Sequence, residues 1–181
     1  MTAGGPAQRL FLVVLGGRID GCHIEQHDVR FVAGASIDDT IPQLREQWFG
    51  RRRGLHIDSW VVVEAVAGWR VELRPEPFAG PQRLWFVNGG GYQPWEMAER
   101  HEFALLVAAS PQAARARGKR ALLKGALQRH TDDLHAIGKL ANGLHVHLIA
   151  TAGAANGVSD AVADVQLLMP DWFGYRSIDQ K

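Results

Sequence analysis

Glu25-Gln26-His27-Asp28 returns later in the chain as Glu99-Arg100-His101-Glu102, inside a second copy of its surroundings. Each stretch is preceded by an apolar run closed by glycines, Leu10 to Leu15 before Gly16-Gly17 and Leu84 to Val87 before Asn88-Gly89-Gly90-Gly91. Each is followed by a second apolar run ending in Ala-Ser. His27 recurs at His101, Ser36 at Ser110 and His56 at His130, with the same offset each time and no gap. The chain is therefore a tandem duplication. Its expected fold class is α+β, a β-β-α-β-β unit written twice, each copy an antiparallel sheet with one covering helix. The expected boundaries are 10–74 for the first copy, 75–83 for a linker, 84–150 for the second copy and 151–181 for a C-terminal extension packing on the copies.

Each element has a local physical reason. Leu10 to Leu15 is short, continuous and apolar, the pattern of a strand buried on both faces. Ile24 to Ala33 reads as a second strand in which His27, Val29 and Phe31 share one face, so His27 is expected to point with apolar residues. Ser36 before Asp38 and Asp39 marks a helix start, since its oxygen accepts an unpaired backbone N–H and the aspartates favour the positive end of the dipole. Ile37, Ile41, Leu44 and Trp48 then fall on one stripe. Pro42 interrupts it, which places the start of regular helix near Ile41. Ile57 to Val66 reads as a third strand, and Gly68-Trp69 as a reversal into Val71 to Leu73.

In the second copy, Ser110-Pro111 opens a helix over 111–124 in which Ala114, Gly118 and Ala121 replace large side chains, so closer packing is expected. A weak third strand is placed around Leu134 to Leu140, and another at Leu144 to Ala150. Thr151 to Ser159 reads as mobile, and Val165 to Met169 as a last strand before the aromatic tail Trp172 to Tyr175. The glycine clusters lead into no phosphate-binding fingerprint and read as turns needing positive φ.

Composition narrows the function classes. With 20 Lys plus Arg against 19 Asp plus Glu, the net charge of +1 gives no field for capturing a polyanion, so no nucleic-acid partner is expected. Cys22 stands alone, which excludes an internal disulfide and a cysteine zinc site. Leu10 to Leu15 is too short for a signal core or a bilayer span, and the chain reads as cytoplasmic with no membrane partner.

Among drifting apolar positions, Glu25, His27, His56 and Asp58 persist as Glu99, His101, His130 and Asp132. These eight are the candidate binding residues, and three readings of them stay open. They are internally satisfied buried polar groups, or carboxylate-oriented imidazoles for acid/base work, or part of a metal site. The last is suggested by the density of His130, Asp132, Asp133, His135, His145 and His147. Their spacing matches no named metal motif, so no metal, cofactor or catalytic residue is assigned.

The leading expectation is a non-catalytic binding or regulatory module for a small molecule or protein, with its site near the seam between copies. The alternatives are a His-carboxylate enzyme, metal-assisted or not, and a protein-interaction module presenting the Trp172 to Tyr175 tail or an open sheet edge, with a homo-oligomer as one outcome.

The phrases Leu15-Gly-Gly17, Ile24-Glu-x-His-Asp-Val29, Leu55-His-Ile-Asp-Ser-Trp60, Phe86-Val-Asn-x-Gly-Gly-Tyr92, His101-Glu-Phe103 and His130-x-Asp-Asp-Leu134 resemble the bacterial domain of unknown function 1543 family. The resemblance covers about residues 10–150 and implies one or two copies of such a unit, with no activity attached. Where the family pattern reads Asn-Leu-Gly-Gly, this chain has Asn88-Gly89-Gly90-Gly91, implying a looser second glycine turn.

Overall fold

The computed structural model describes residues 7–152, 165 and 168–179. In chain order the elements are β1 (Arg9–Gly17), β2 (Gln26–Gly34), α1 (Ile37–Gln47), β3 (His56–Val62), β4 (Ala65–Val66), β5 (Trp69–Arg74), β6 (Arg83–Tyr92), β7 (Arg100–Ala108), α2 (Pro111–Ala121), β8 (Leu127–Ile137), β9 (His145–Ala150) and β10 (Trp172–Ser177). The chain is α+β, with antiparallel sheets and two helices, and the repeat is visible as β1-β2-α1-β3 followed by β6-β7-α2-β8. The expected mobile segment Thr151 to Ser159 and strand Val165 to Met169 fall largely outside the described residues.

Two compact units divide the chain. The first comprises Met1–Glu64, Leu140–Leu144 and Met169–Lys181, and its sheet runs β10-β3-β1-β2. One face carries Phe11, Val13, Leu15, Val32 and Ile57 against Leu44 of α1 and Trp48 at its C-cap, with Ile37 and Ile41 beside them. This is the stripe that the sequence spacing demands. Ser36 caps α1 through a reciprocal pair, Asp39 N–H to Ser36 Oγ at 3.4 Å and Ser36 N–H to Asp39 Oδ2 at 2.8 Å. α1 runs unbroken through Pro42, correcting the expected later start. The carbonyl that Pro42 cannot satisfy belongs to Asp38, four residues back on the exposed side, where water can replace the lost donor.

The second unit comprises Ala65–Lys139 and His145–Leu168, and holds two three-stranded sheets, β7-β6-β8 and β4-β5-β9. The closing strands, β5 and β9, therefore do not join the sheets of their own copies. β5 pairs with β9 from Trp69↔Ala150 to Arg74↔His145, so the closing strand of each copy completes a third sheet with the other. This corrects the expectation of one sheet per copy, and compactness divides the chain at Glu64 although the repeat runs on.

α2 lies against β6, β7 and β8, with Ser110 accepting from Ala113 N–H at 3.2 Å. Its small residues allow a close approach: a Cβ added at Gly118 would stand 2.5 Å from Val87 Cγ1. Gly118→Ala is therefore expected to destabilise the protein by about 1–3 kcal/mol, because overpacking against a buried valine outweighs alanine's better helix propensity. Chemical denaturation of the variant tests this, and an unchanged or raised midpoint would show that the helix has room to shift.

Candidate functional site

The glycines that end the apolar runs are strand residues rather than positive-φ turns. Gly16 and Gly17 belong to β1 and Gly89 to Gly91 to β6, and none of them has a positive φ. Their use is lateral. Gly16 sits across from His27 on one side and His56 on the other, and Gly90 sits likewise between His101 and His130. A Cβ at Gly16 would overlap His56 Nε2 and stand 2.8 Å from its Cε1; at Gly90 it would stand 2.7 Å from Asp132 Oδ2 and 2.8 Å from His130 Nε2. The central strand is bare where the flanking strands turn their polar side chains inward over it.

The strand pairings break register at these points, between Val14 and Leu15 in the first copy and between Asn88 and Gly89 in the second. The residue skipped in each register is the aspartate of the His-x-Asp pair, Asp58 or Asp132, which already shares a strand face with its histidine two residues earlier.

In the first copy His27 Nε2 lies 3.3 Å from Asp58 Oδ2, His56 Nε2 lies 3.2 Å from Asp58 Oδ1, and His56 Nδ1 lies 3.4 Å from Glu25 Oε1. In the second, His101 Nδ1 lies 3.0 Å from Asp132 Oδ2, and His130 Nε2 lies 2.7 Å from Asp132 Oδ1 and 3.0 Å from Glu99 Oε1. All eight sequence-selected residues thus gather into two tetrads, one per copy. Each tetrad is complete within its own unit.

The imidazole tautomers follow from one further contact. His56 Nδ1–H donates to Gly54 O at 2.8 Å, and His130 Nδ1–H donates to Gln128 O at 3.0 Å. A carbonyl only accepts, so Nδ1 carries the hydrogen, and in the neutral ring Nε2 is a bare lone pair. At His130 that lone pair faces oxygens of Asp132 and Glu99, and at His56 it faces one oxygen of Asp58, with Glu25 beside Nδ1 instead; such an arrangement requires a proton or a cation between nitrogen and oxygen. Glu99 Oε1 reports the same conflict, being buried and accepting no hydrogen bond among the described residues although His130 Nε2 stands 3.0 Å away. The pKa of His130 is raised above its ordinary value, first by the Gln128 carbonyl, then by the charges of Asp132 and Glu99, against an opposing effect of desolvation.

Sequence reasoning misses this carbonyl, since the backbone oxygen repeats while the residue type does not. Gly54 has φ 81° and its counterpart Gln128 has φ 48°, the same left-handed turn made by different residues. Gln128→Gly is expected to raise stability by up to about 1 kcal/mol by relieving the left-handed strain, a gain partly offset by glycine's larger unfolded-state entropy. A thermal or denaturant midpoint measures it, and a loss of more than that amount would mean the glutamine side chain itself is needed.

The tetrads differ in cover. His56 is 2% exposed, with the Tyr175 ring stacked on it at 4.1 Å, whereas His130 is 45% exposed. Tyr175 comes from the aromatic tail, which forms β10 along β3 and also stacks Trp172 on Trp60 at 4.5 Å. His27 is 53% exposed, so the expectation that it points among apolar residues is corrected: it shares their strand face but lies at the outer end. Of the other clustered histidines, His135 pairs with Asp133 at 2.9 Å on the surface, and His147 is held by the Glu76 carbonyl at 2.7 Å. Neither joins a tetrad.

A family model described as Domain of Unknown Function (DUF1543) matches residues 22–73 and again 96–148, together more than half of the chain. The chain belongs to the DUF1543 family. This DUF1543 protein is similar to a solved structure, the crystal structure of a protein Il1583 from Idiomarina loihiensis, at 33% sequence identity and a TM-score of 0.70. The likeness covers 96% of this chain and 99% of that one. No curated protein matches the DUF1543 chain. Both tetrads lie within the matched segments, and among the described residues no helix is long and apolar enough to cross a membrane.

Proposed function

We propose that this DUF1543 protein is a non-catalytic metal-binding module in which each tetrad takes one divalent first-row transition-metal ion. The observation that carries the reading is His130, whose Nδ1–H is committed to Gln128 O and whose bare Nε2 is aimed at two carboxylate oxygens within 3.0 Å. Four donors around an ion at about 2.0–2.1 Å in a tetrahedron stand roughly 3.4 Å apart. The nitrogen–oxygen pairs that would flank an ion, at 2.7 to 3.3 Å, need only small outward movements to reach that spacing.

Donor atoms of Glu25, His27 and His56, and of Glu99, His130 and Asp132, lie within 4.8 Å of one another. Two neutral imidazoles and two carboxylates also balance the charge of a divalent ion, and the mixed N/O set suits zinc, manganese or iron rather than calcium. The Nδ1–carbonyl bonds supply the outer contact that orients a ligating imidazole. A sequence search by spacing has little chance of finding such a set, because its donors come from a loop and two strands that meet only across β1 or β6.

The test is calorimetric titration of chelator-stripped protein with Zn2+ and Mn2+ near pH 7.5. The expected result is saturation at two ions per chain with a rise in unfolding temperature. Absence of saturable binding, or of any thermal shift at millimolar metal, would leave the tetrads as protonated ion-pair clusters with a structural role.

A further inference from the structure

We infer that the second unit holds a separate binding site for a small carboxylate with an apolar body, in a cavity of about 180 Å3 between the 77–84 segment and β9. The cavity is open to solvent on one side, and its volume accommodates a benzene-sized body, since an enclosed apolar cavity of about 150 Å3 accepts benzene. Phe78, Leu84 and Ile137 form its apolar wall, while Arg83, Lys139 and His145 bring two permanent cations and an imidazole to the same space. No acidic side chain lines it among the described residues.

The three polar groups are differently committed. Arg83 is anchored through Nη1, which donates to the carbonyls of Gly80 and Gln82, and its guanidinium carbon lies 5.9 Å from the centre of the Phe78 ring, leaving the rest of the fork for a ligand. Among the described residues the side chains of Lys139 and His145 make no hydrogen bond or ion pair, and an isolated bridge holds their backbones side by side. Uncompensated cations beside an apolar wall favour an anion whose body replaces water against the phenyl ring. A planar carboxylate suits a guanidinium anchored on one side. The remaining volume beyond a benzene-sized body holds a carboxylate and little more.

The site uses none of the eight tetrad residues, so it stands or falls apart from metal binding. The experiment is an NMR titration of the full chain with benzoate and, as its neutral isostere, benzamide. Benzoate is expected to give saturable shifts at Gly138, Lys139 and Val146, and to bind about tenfold tighter than benzamide, as loss of a charge-assisted hydrogen bond dictates. Lys139→Met with His145→Gln, both changes at solvent-accessible side chains, should bring benzoate to the level of benzamide without altering the unfolding midpoint. Non-saturating shifts, equal affinity for the two probes, saturable shifts confined to another surface, or benzoate affinity unchanged in the double variant would each overturn the assignment.

Discussion

Gly90→Ala is expected to weaken divalent-ion binding at the second tetrad by about 10- to 100-fold while changing the unfolding midpoint little, because it moves ligands rather than core. The atoms that an added methyl would meet are Asp132 Oδ2 and His130 Nε2, with Glu99 Oε1 beside them, all at the ends of side chains that retain some exposure. They can swing outward, and the stability cost is small. Once displaced, however, they no longer converge on one point. The same change at Gly16 meets His56, which is buried, tied to the Gly54 carbonyl and overlain by Tyr175, so the ring has no direction in which to retreat. Gly16→Ala should therefore also cost about 1–3 kcal/mol of stability, the usual range for overpacking. Calorimetry and denaturation on the two variants separate these effects. Unchanged metal affinity in Gly90→Ala would show that the bare strand beneath the tetrad is not what gathers the donors.

The glycine result also marks where the sequence stops being legible. The duplication, the first strands of each copy, both serine caps and the recurrence of eight His, Glu and Asp positions follow from pattern alone, since each rests on local spacing or on repetition; that His27 meets Asp58 and His56 meets Glu25 across β1 does not. The role of Gly16 and Gly90 does not, because a glycine ending an apolar run looks the same whether the chain turns there or a neighbouring strand needs the space. Pairing of β5 with β9 is equally hidden: Gly68-Trp69 announces a reversal, but nothing in Val71 to Leu73 says which strand lies alongside it. Likewise β8 begins at Leu127, well before the apolar residues around Leu134, because polar His130 and Asp132 are strand residues of the site. Tyr175 over His56 joins segments more than a hundred residues apart, and the aromatic tail carries no local sign of its target.

Asp132→Asn is expected to reduce ion affinity at the second tetrad by about 100-fold or more, and to shift the pH dependence of that site downward. Asp132 contacts both His101 and His130 and is one of two anionic donors, so the amide removes a ligand charge and part of the field that favours protonated His130. In the metal-free protein the raised pKa of His130 means that the folded state binds this proton more tightly than the unfolded chain. Its stabilising contribution is fully present below the unfolded value of about 6.5 and is lost as pH rises through the folded value. Metal binding runs the other way, since the ion takes the Nε2 lone pair only when the proton leaves, and affinity grows about tenfold per pH unit for each proton displaced. The metal-free protein should thus lose stability across the same window in which added metal gains its effect. In Asp132→Asn the metal-free decline should be smaller and be complete at a lower pH, nearer the unfolded value, while the ion bound by the first tetrad remains. A thermal-shift series from pH 5.5 to 8.5, with and without Zn2+, resolves both curves. Parallel curves, with a metal effect independent of pH, would mean that His130 holds neither the proton nor the ion.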